Sequence, residues 1–460
     1  MKTSHSALLT AMAFCLAGFV PAHAGDEPKD TQESKGNFIL SAEIRERGLY
    51  THGYKALLGP DEKGNFFVGQ RVRLNFGYQK DNLGFYVQAQ DTRVWGETTG
   101  STGNGLGISQ AYFYMDFAKR FGFKVGRMPL HYEDGRYLSY SNWDEAPRTH
   151  DALFFNFRSL DKRTKVDLGA SFSNNSESYV LNPYQLDNYF KYLLIGYVSH
   201  QFVPDFRLSI LSVTDFQERL YIEEGENKID PSRLYARSTV GLYLDILKTR
   251  KVSLLLYGYG QFGKLNTGQE TIAGMASFKL KYKALPVLDF QLAYDFVSGW
   301  TMSGDYNSGF DKFLGSTHSF LGIMDFFSPQ GSRNATCLDG LHQPYLSITY
   351  RPAPKHSLEF GGRYFWTVED PEFVLREDFD SFKTYDSHNL GFEGSLIYKY
   401  QILPELGLEA GYAFHTATPV LELCNLIRPD QSKFAHFGYV MITYKPTLFN
   451  LDKHLAKHDD

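Results

Sequence analysis

Hydrophobic and polar side chains alternate along most of the chain with a period of two residues, which is the pattern of β-strands. In residues 66–78 every second side chain is apolar except Gln70, while arginines such as Arg71 occupy the opposite face. The same division recurs in residues 234–246 and 288–296. These segments predict strands with one face in an apolar environment and the other in water.

The connections between the predicted strands alternate in length. Every second one has only two to four residues, and the others include long segments such as 132–147, 217–231 and 299–341. Short turns on one rim and long loops on the other are typical of transmembrane β-barrels, in which closure pairs every backbone group. We therefore predict an all-β fold, a single transmembrane antiparallel up-and-down β-barrel of about 18 strands, over residues 38–446. The predicted strands are 38–50, 65–79, 83–95, 107–118, 121–131, 148–158, 163–174, 189–201, 205–216, 232–246, 251–263, 270–283, 286–298, 342–351, 356–367, 385–400, 405–416 and 434–446.

The beginning of the chain has the features of a secretory signal peptide. A lysine near the start is followed by the apolar run Ala7–Val20, and Ala22-His23-Ala24 matches a cleavage site. We expect a signal peptide at 1–24, a flexible lead-in at 25–37 and a polar tail at 447–460. Export combined with a barrel predicts the outer membrane of a Gram-negative bacterium, where lipid and lipopolysaccharide surround the protein.

Composition narrows the possibilities further. The 460 residues include 38 Phe, 31 Tyr and 41 Gly, a mixture that favours strands and turns over helices. Beyond the signal peptide, no apolar run approaches the roughly 18 residues that a membrane-spanning helix requires, so a polytopic helical protein is excluded. The formal net charge of -5 argues against a nucleic-acid partner. Nothing in the sequence indicates a cofactor.

Two cysteines follow the signal peptide, Cys337 and Cys424. In an exported protein they could form one disulfide, or they could be two separate loop cysteines. Neither has the spacing to other Cys or His residues that a metal site uses, so we predict no metal.

A barrel of this size encloses an aqueous bore, so passage of hydrophilic solutes is the expected function. Basic and acidic side chains are nearly equal in number at the inward positions of the clearer strands. Two interpretations stay open for them: selective binding of solutes, or simple wetting of the wall. The inward arginines that we name as solute-path candidates are Arg45, Arg47, Arg71, Arg73, Arg237 and Arg363.

Two further segments carry recognisable motifs, at 125–155 and 313–327. At these motifs the chain resembles the alginate export family of outer-membrane porins, although Glu133 stands where the family commonly has Gly, and His150 where it has Phe. The resemblance implies a porin that passes hydrophilic solutes, including acidic sugars or oligosaccharides such as alginate-like uronates, with both segments folded toward the bore. Export or uptake partners in the periplasm stay unidentified. The motif residues named as solute-path candidates are Arg127, Asp134, Arg136, Trp143, Arg148 and Asp151 in the first segment, with His318 and Asp325 in the second.

Alternatives remain for the loop arginines and for the function of the whole barrel. The loop arginines could donate to carboxylates on a passing solute, or they could pair with Asp134, Asp144 and Asp151 and so hold the loop itself. The whole barrel could instead be an enzyme acting on lipid or glycan, or a surface or structural barrel with a plugged lumen. We expect a channel rather than an enzyme, because no nucleophile stands beside His131, Glu133 and Asp134 in the sequence.

Overall fold

The computed structural model describes residues 36–97, 106–173, 190–299, 306–316, 318, 320–327, 340–370, 372–374, 382–384, 387–424 and 432–452. Nearly all of its secondary structure is β-strand. The strands are β1 (Asn37–His52), β2 (Asn65–Lys80), β3 (Leu83–Val94), β4 (Gly107–Phe117), β5 (Phe121–Met128), β6 (His150–Arg158), β7 (Thr164–Phe172), β8 (Tyr192–Val203), β9 (Phe206–Glu223), β10 (Glu226–Ile246), β11 (Val252–Lys264), β12 (Glu270–Leu285), β13 (Leu288–Val297), β14 (Leu341–Tyr350), β15 (His356–Trp366), β16 (Glu372–Val374), β17 (Phe382–Thr384), β18 (Asn389–Leu403), β19 (Leu406–Ala417), β20 (Phe434–Tyr444) and β21 (Thr447–Asn450), and a short helix α1 spans Pro419–Cys424.

Eighteen of these strands form a closed antiparallel barrel. Each pairs with the next along the chain, from β1 to β15 and from β18 to β20, and β15 pairs directly with β18. The ring closes where β1 pairs with β20, from Ile44 opposite Tyr444 to His52 opposite His436. The predicted 18-strand barrel is therefore confirmed. The strands β16 and β17 form a separate hairpin between β15 and β18.

The two faces of the wall differ as the alternation predicts. On β1, Ile44 is 40% exposed on the outside, whereas the neighbouring Arg45 is 3% exposed on the inside. The same contrast separates Leu74 from Arg73 on β2. The outer wall is thus apolar and the inner wall carries polar and charged side chains, as a barrel in a lipid bilayer requires. No helix in the described part of the chain is long and apolar enough to cross a membrane.

One predicted loop is wrong. Residues 217–231 do not form a loop, because β9 and β10 continue past the rim as a two-stranded hairpin that pairs as far as Glu223 and Glu226. Its tip is Glu224-Gly225, with φ angles of 54° and 82°. Two positive φ angles in a two-residue turn match the twist of the flanking strands, so the hairpin satisfies its own backbone hydrogen bonds beyond the barrel.

The predicted segments at the chain ends are described only in part. The signal peptide at 1–24 and most of the lead-in at 25–37 lie outside the described residues, as does Cys337, so the disulfide stays a prediction. Within the expected polar tail at 447–460, the structure has the four-residue strand β21, which pairs with the first part of β1.

Two long connections reach into the barrel: residues 129–149 between β5 and β6, and the described residues between β13 and β14, which are 298–299, 306–316, 318, 320–327 and 340. We call them the β5–β6 loop and the β13–β14 loop. Several of their apolar side chains are buried inside the barrel at 2% exposure or less, namely Tyr137, Leu138, Phe310, Phe326 and Phe327. The described parts of these two loops occupy part of the lumen.

Candidate functional site

The tip of the β5–β6 loop rests on arginines of the inner wall. Arg45 donates hydrogen bonds to the carbonyl oxygens of Asn142 at 2.7 Å and Asp144 at 3.0 Å, and to the Glu145 carboxylate at 2.5 Å. Arg47 forms an ion pair with the same carboxylate at 2.7 Å. Since carbonyl and carboxylate oxygens both accept from guanidinium groups, these two side chains hold the loop tip against β1.

Two arginines of β2 complete this group. Arg71 donates to Glu43 Oε1 from two nitrogens, at 3.0 and 2.5 Å, and Arg73 lies 3.3 Å from the same oxygen. Both also donate to the side-chain oxygen of Asn142, at 3.1 and 3.2 Å. The buried Nη2 of Arg73 has no hydrogen-bond partner among the described residues. We call Arg45, Arg47, Arg71 and Arg73 the arginine cluster; its four guanidinium groups face two carboxylates, Glu43 and Glu145.

The first half of the same loop is attached to the opposite side of the lumen. Arg136 donates to Asp295 on β13 at 2.8 Å and lies 3.6 Å from Asp134. Asp134 is also 3.3 Å from Lys279 on β12. Burial alone would raise the pKa of Asp134, but the charges of Arg136 and Lys279 outweigh it and hold that pKa below its usual range. The β5–β6 loop therefore crosses the lumen and is anchored on both walls.

Glu133, one of the two departures from the family motif, has a specific place in this anchoring. Its carboxylate accepts from Arg207 at 2.7 Å and from the Tyr197 hydroxyl at 2.5 Å. Its φ angle of 56° is in the left-handed region that favours Gly. The family Gly would fit this backbone without strain, whereas here a charged side chain provides a further attachment to the wall.

A buried cluster joins the two inward loops. His318 stacks on Trp143 with ring centroids 3.8 Å apart, and its Nδ1 lies 2.9 Å from Asp325. Tyr54, in the β1–β2 connection, accepts from Trp143 Nε1 at 3.2 Å and donates to Asp325. The Arg47 guanidinium lies 4.3 Å from the centre of the Trp143 ring. The motif residues Trp143, His318 and Asp325 are thus brought together. Their contacts join the β1–β2 connection, the β5–β6 loop and the β13–β14 loop.

Burial controls the ionisation of the two acidic groups in this cluster. It raises the pKa of Asp325, although His318 acts in the opposite direction. Burial and the neighbouring Asp325 together raise the pKa of the Tyr54 hydroxyl well above its usual value, so this group remains a hydrogen-bond donor.

The backbones of the two loops also touch. Ser139 N donates to Leu314 O at 2.9 Å, and Ser316 N donates to Gly135 O at 3.0 Å. Between these bonds a Cβ atom on Gly315 would lie 2.3 Å from a backbone oxygen of the β5–β6 loop, so the contact requires glycine at 315. The two loops form one connected insert.

Carboxylates also neutralise the remaining inward arginines of the candidate set. Arg363 lies 3.1 Å from Glu393, which accepts from the backbone nitrogens of Ile323 and Met324 in the β13–β14 loop. In the same way, Arg237 donates to Asp215 at 3.1 Å and to Asp311 of that loop at 2.8 Å. These two arginines therefore hold the second loop on the wall.

Two candidates do not face the lumen. Arg127 and Asp151 pair with each other at 2.7 Å, but they lie on the outward face of β5 and β6, and both are about half exposed. The expectation that they line the solute path is therefore corrected. Arg148 is half-buried just before β6. Among the described residues, no group of three or more His, Cys, Asp or Glu side chains could hold a metal ion.

Several residues of the site were not among the sequence candidates. The alternation of β1 places Glu43 on the inward face. The pairing register of β1 with β2 would then have placed it beside Arg71 and Arg73. Asn142, Glu145 and Tyr54 gave no such signal, because their contacts depend on how a loop folds back into the barrel.

Comparison with known proteins identifies the fold. No known protein family matches the sequence, and no curated protein matches it. Among solved structures, the chain is similar to a BenF-like porin from Pseudomonas fluorescens Pf-5, with a TM-score of 0.58 and 10% identity over 89% of this chain and 99% of that chain. It is also similar to Acinetobacter baumannii OccAB1, with a TM-score of 0.58 and 11% identity over 92% and 100% of the two chains. Pseudomonas aeruginosa OccK5 (OpdH) matches with a TM-score of 0.55 and 12% identity over 89% and 99%.

At these identities the likeness concerns the fold, which is that of a porin barrel. Together with the apolar outer wall, it confirms the predicted outer-membrane localisation. None of the comparisons supports the narrower resemblance to the alginate export family, which rests on the two motifs alone.

Proposed function

We propose that this chain is an outer-membrane channel through which small hydrophilic solutes diffuse. The observation that carries the proposal is the β5–β6 loop, which the arginine cluster and Arg136 hold across the lumen. An empty 18-strand barrel would enclose a wide aqueous bore, and an anchored loop narrows it. The similar solved structure that is named as a porin supports a channel rather than an enzyme.

Acidic sugars such as uronates are the solutes that we propose. The four guanidinium groups of the arginine cluster exceed the two carboxylates with which they pair, which favours anions in this part of the lumen. In this proposal Arg45, Arg47 and Arg71 position the loop, and the positive charge that Arg73 adds to the cluster attracts the solute. The motif resemblance to alginate exporters supports the same solute class.

A plugged barrel is the competing function, and one observation favours it. The β13–β14 loop buries Phe310, Phe326 and Phe327 inside the barrel at 2% exposure or less, as a plug would. Ionic conductance separates the two functions, because a plug carries no steady current.

Planar-bilayer recording of the purified full chain tests the proposal. We expect steady open channels and, in a KCl gradient, a reversal potential that indicates anion preference. Arg73→Gln should weaken that preference, because it removes a lumen cation. The matched control is Arg93→Gln, which changes an arginine on the outward face of β3 that pairs with Asp91. The absence of current would overturn the channel, and equal effects of both variants would overturn the role of Arg73.

A further inference from the structure

Three basic side chains lie together in two of the short turns. The turn between β4 and β5 contributes Lys119 and Arg120, and the turn between β6 and β7 contributes Lys162, all of them exposed. None of the three takes part in an ion pair within the described part of the chain. Asp161, the carboxylate of these turns, lies 3.9 Å from Arg163 instead. We call Lys119, Arg120 and Lys162 the basic turn cluster, which forms a positive patch on this rim.

The two turns are neighbours on the rim. β5 pairs with β6 as far as Phe121 opposite Phe157, and Arg158 N donates to Arg120 O at 2.8 Å just beyond that pair. The turn that carries Lys162 follows Arg158 directly. The basic turn cluster therefore occupies one continuous stretch of the rim, where its three charges can attract the same anion.

Both lysines of the cluster hold a backbone conformation that disfavours lysine. The φ angle is 58° at Lys119 and 59° at Lys162, in the left-handed region where Gly and Asn are favoured. Any longer side chain strains the backbone there. Two adjacent turns thus carry an ammonium group where Gly would fit without strain. The repetition indicates a role for the charges themselves.

An aromatic band lies on the outward face beside the cluster. The ring centroids of Phe117 and Phe121 are 6.1 Å apart, and those of Phe121 and Phe157 are 5.1 Å apart. Leu160, in the turn between β6 and β7, is exposed. Rings at the ends of barrel strands mark the membrane interface, and the short turns lie on its periplasmic side. The cluster is therefore level with the phosphates of the inner leaflet, which consists of phospholipids.

We propose that the basic turn cluster binds the headgroup of an anionic phospholipid of the inner leaflet. The lipid phosphate accepts from Lys119, Arg120 and Lys162, and the acyl chains lie against Phe121 and Leu160. A zwitterionic headgroup is a poorer ligand, because its own cation repels the basic side chains. The site lies outside the lumen, so it does not depend on the proposed channel function.

Native mass spectrometry of the refolded full chain in detergent tests this proposal. The probes are phosphatidylglycerol and phosphatidylcholine, matched in acyl chains and added in equal amounts. We expect phosphatidylglycerol to bind about tenfold more tightly, the order expected for a few charge contacts at a membrane surface.

A triple variant assigns the preference to this stretch of the rim. Lys119→Gln with Arg120→Gln and Lys162→Gln should reduce the affinity for phosphatidylglycerol to nearly that for phosphatidylcholine. Circular dichroism and the heat-dependent gel shift of folded barrels show that the variant has folded.

The matched control also removes three basic charges from the short-turn rim, but these charges already have carboxylate partners. The control is Lys248→Gln with Arg250→Gln and Arg351→Gln. It should keep the preference for phosphatidylglycerol, since paired charges attract a headgroup less than unpaired ones.

A further variant separates the charges from the turns. Lys119→Gly with Lys162→Gly removes two charges at positions where Gly adopts the backbone conformation without strain. It should weaken phosphatidylglycerol binding without lowering the urea midpoint of unfolding. If the lysines served only the turns, the same change would lower the midpoint and leave lipid binding unchanged, which would refute the proposal.

Two other results would overturn the site. An equal loss of preference in the triple variant and in its control would reduce the effect to net charge. Displacement of the lipid by inorganic phosphate at equal concentration would mean a site for small anions. None of these outcomes involves ionic current, so a chain that prefers phosphatidylglycerol through the basic turn cluster but conducts no current would keep the site and refute the channel.

Discussion

Glu46 is an acidic residue on the lipid-facing side of β1. It lies between Ile44 and Gly48 on the outward face, and its Oε1 accepts from Gln70 on β2 at 2.5 Å. Its second carboxylate oxygen is buried and has no hydrogen-bond partner in the part of the chain that the structure describes. A carboxylate that faces hydrocarbon raises the free energy of the folded barrel, and one hydrogen bond from an amide offsets only part of that increase.

Replacing this pair by apolar side chains should therefore stabilise the barrel. We expect Glu46→Leu with Gln70→Leu to raise the free energy of unfolding by about 1–2 kcal/mol, measured by urea titration in lipid vesicles. Glu223→Leu, at an exposed ion pair with Lys228 in the projecting hairpin, is the control and should change it by less than about 0.5 kcal/mol. Destabilisation by the double variant would mean that Glu46 contacts something other than lipid.

At the scale of elements, the β5–β6 loop is held mainly by side chains of the wall rather than by its own hydrophobic packing at the tip. Arg45 and Arg47 of β1 bind residues 142–145, including the Glu145 carboxylate, while Arg71 and Arg73 of β2 donate to Asn142. Without the two β1 arginines, the tip loses both ion pairs of Glu145 and keeps the bonds from β2.

We expect Arg45→Met with Arg47→Met to loosen the loop tip and raise single-channel conductance, with larger current noise. The measurement is planar-bilayer recording. Arg351→Met serves for comparison, because Arg351 pairs with Asp289 away from the loop. Unchanged conductance in the double variant would show that the tip does not narrow the path.

The strands could be predicted from the sequence, but the loop contacts could not. Alternation is a local property, so β1 and β2 are found within one or two residues of the prediction. Arg45 and Glu145 are a hundred residues apart, and nothing in either neighbourhood indicates that they meet. The position of Arg127 was misjudged for another reason. Arg127 shares a strand face with Phe123 and Val125, and that apolar face already indicated the outside of the barrel. The motif at 125–155 was given more weight than this pattern.

For the whole molecule, the seam between the first and last strands is completed by a separate element. β20 pairs with the later part of β1, from Ile44 to His52, while β21 pairs with Ile39, Leu40 and Ser41. Without β21 this part of β1 would have unpaired backbone groups along one side.

Replacing Thr447–Asn450 with a Gly-Ser sequence should lower the free energy of unfolding by about 1–3 kcal/mol, since a few backbone hydrogen bonds and the apolar contact of Phe449 with Phe38 are lost. Urea titration in vesicles measures it. The same replacement at Glu223–Glu226, the tip of the β9–β10 hairpin, is the control and should have little effect. If both variants had the same free energy of unfolding, β21 would not contribute to the stability of the seam.

This seam has a consequence for biogenesis. Its partners are separated by about four hundred positions along the polypeptide, so a chain delivered from its N-terminus cannot close until residues near 450 have arrived. Until then two long edges stay open to pairing with other chains. A chain truncated before β20 would keep those edges open, so we expect it to yield an aggregation-prone product rather than a smaller pore.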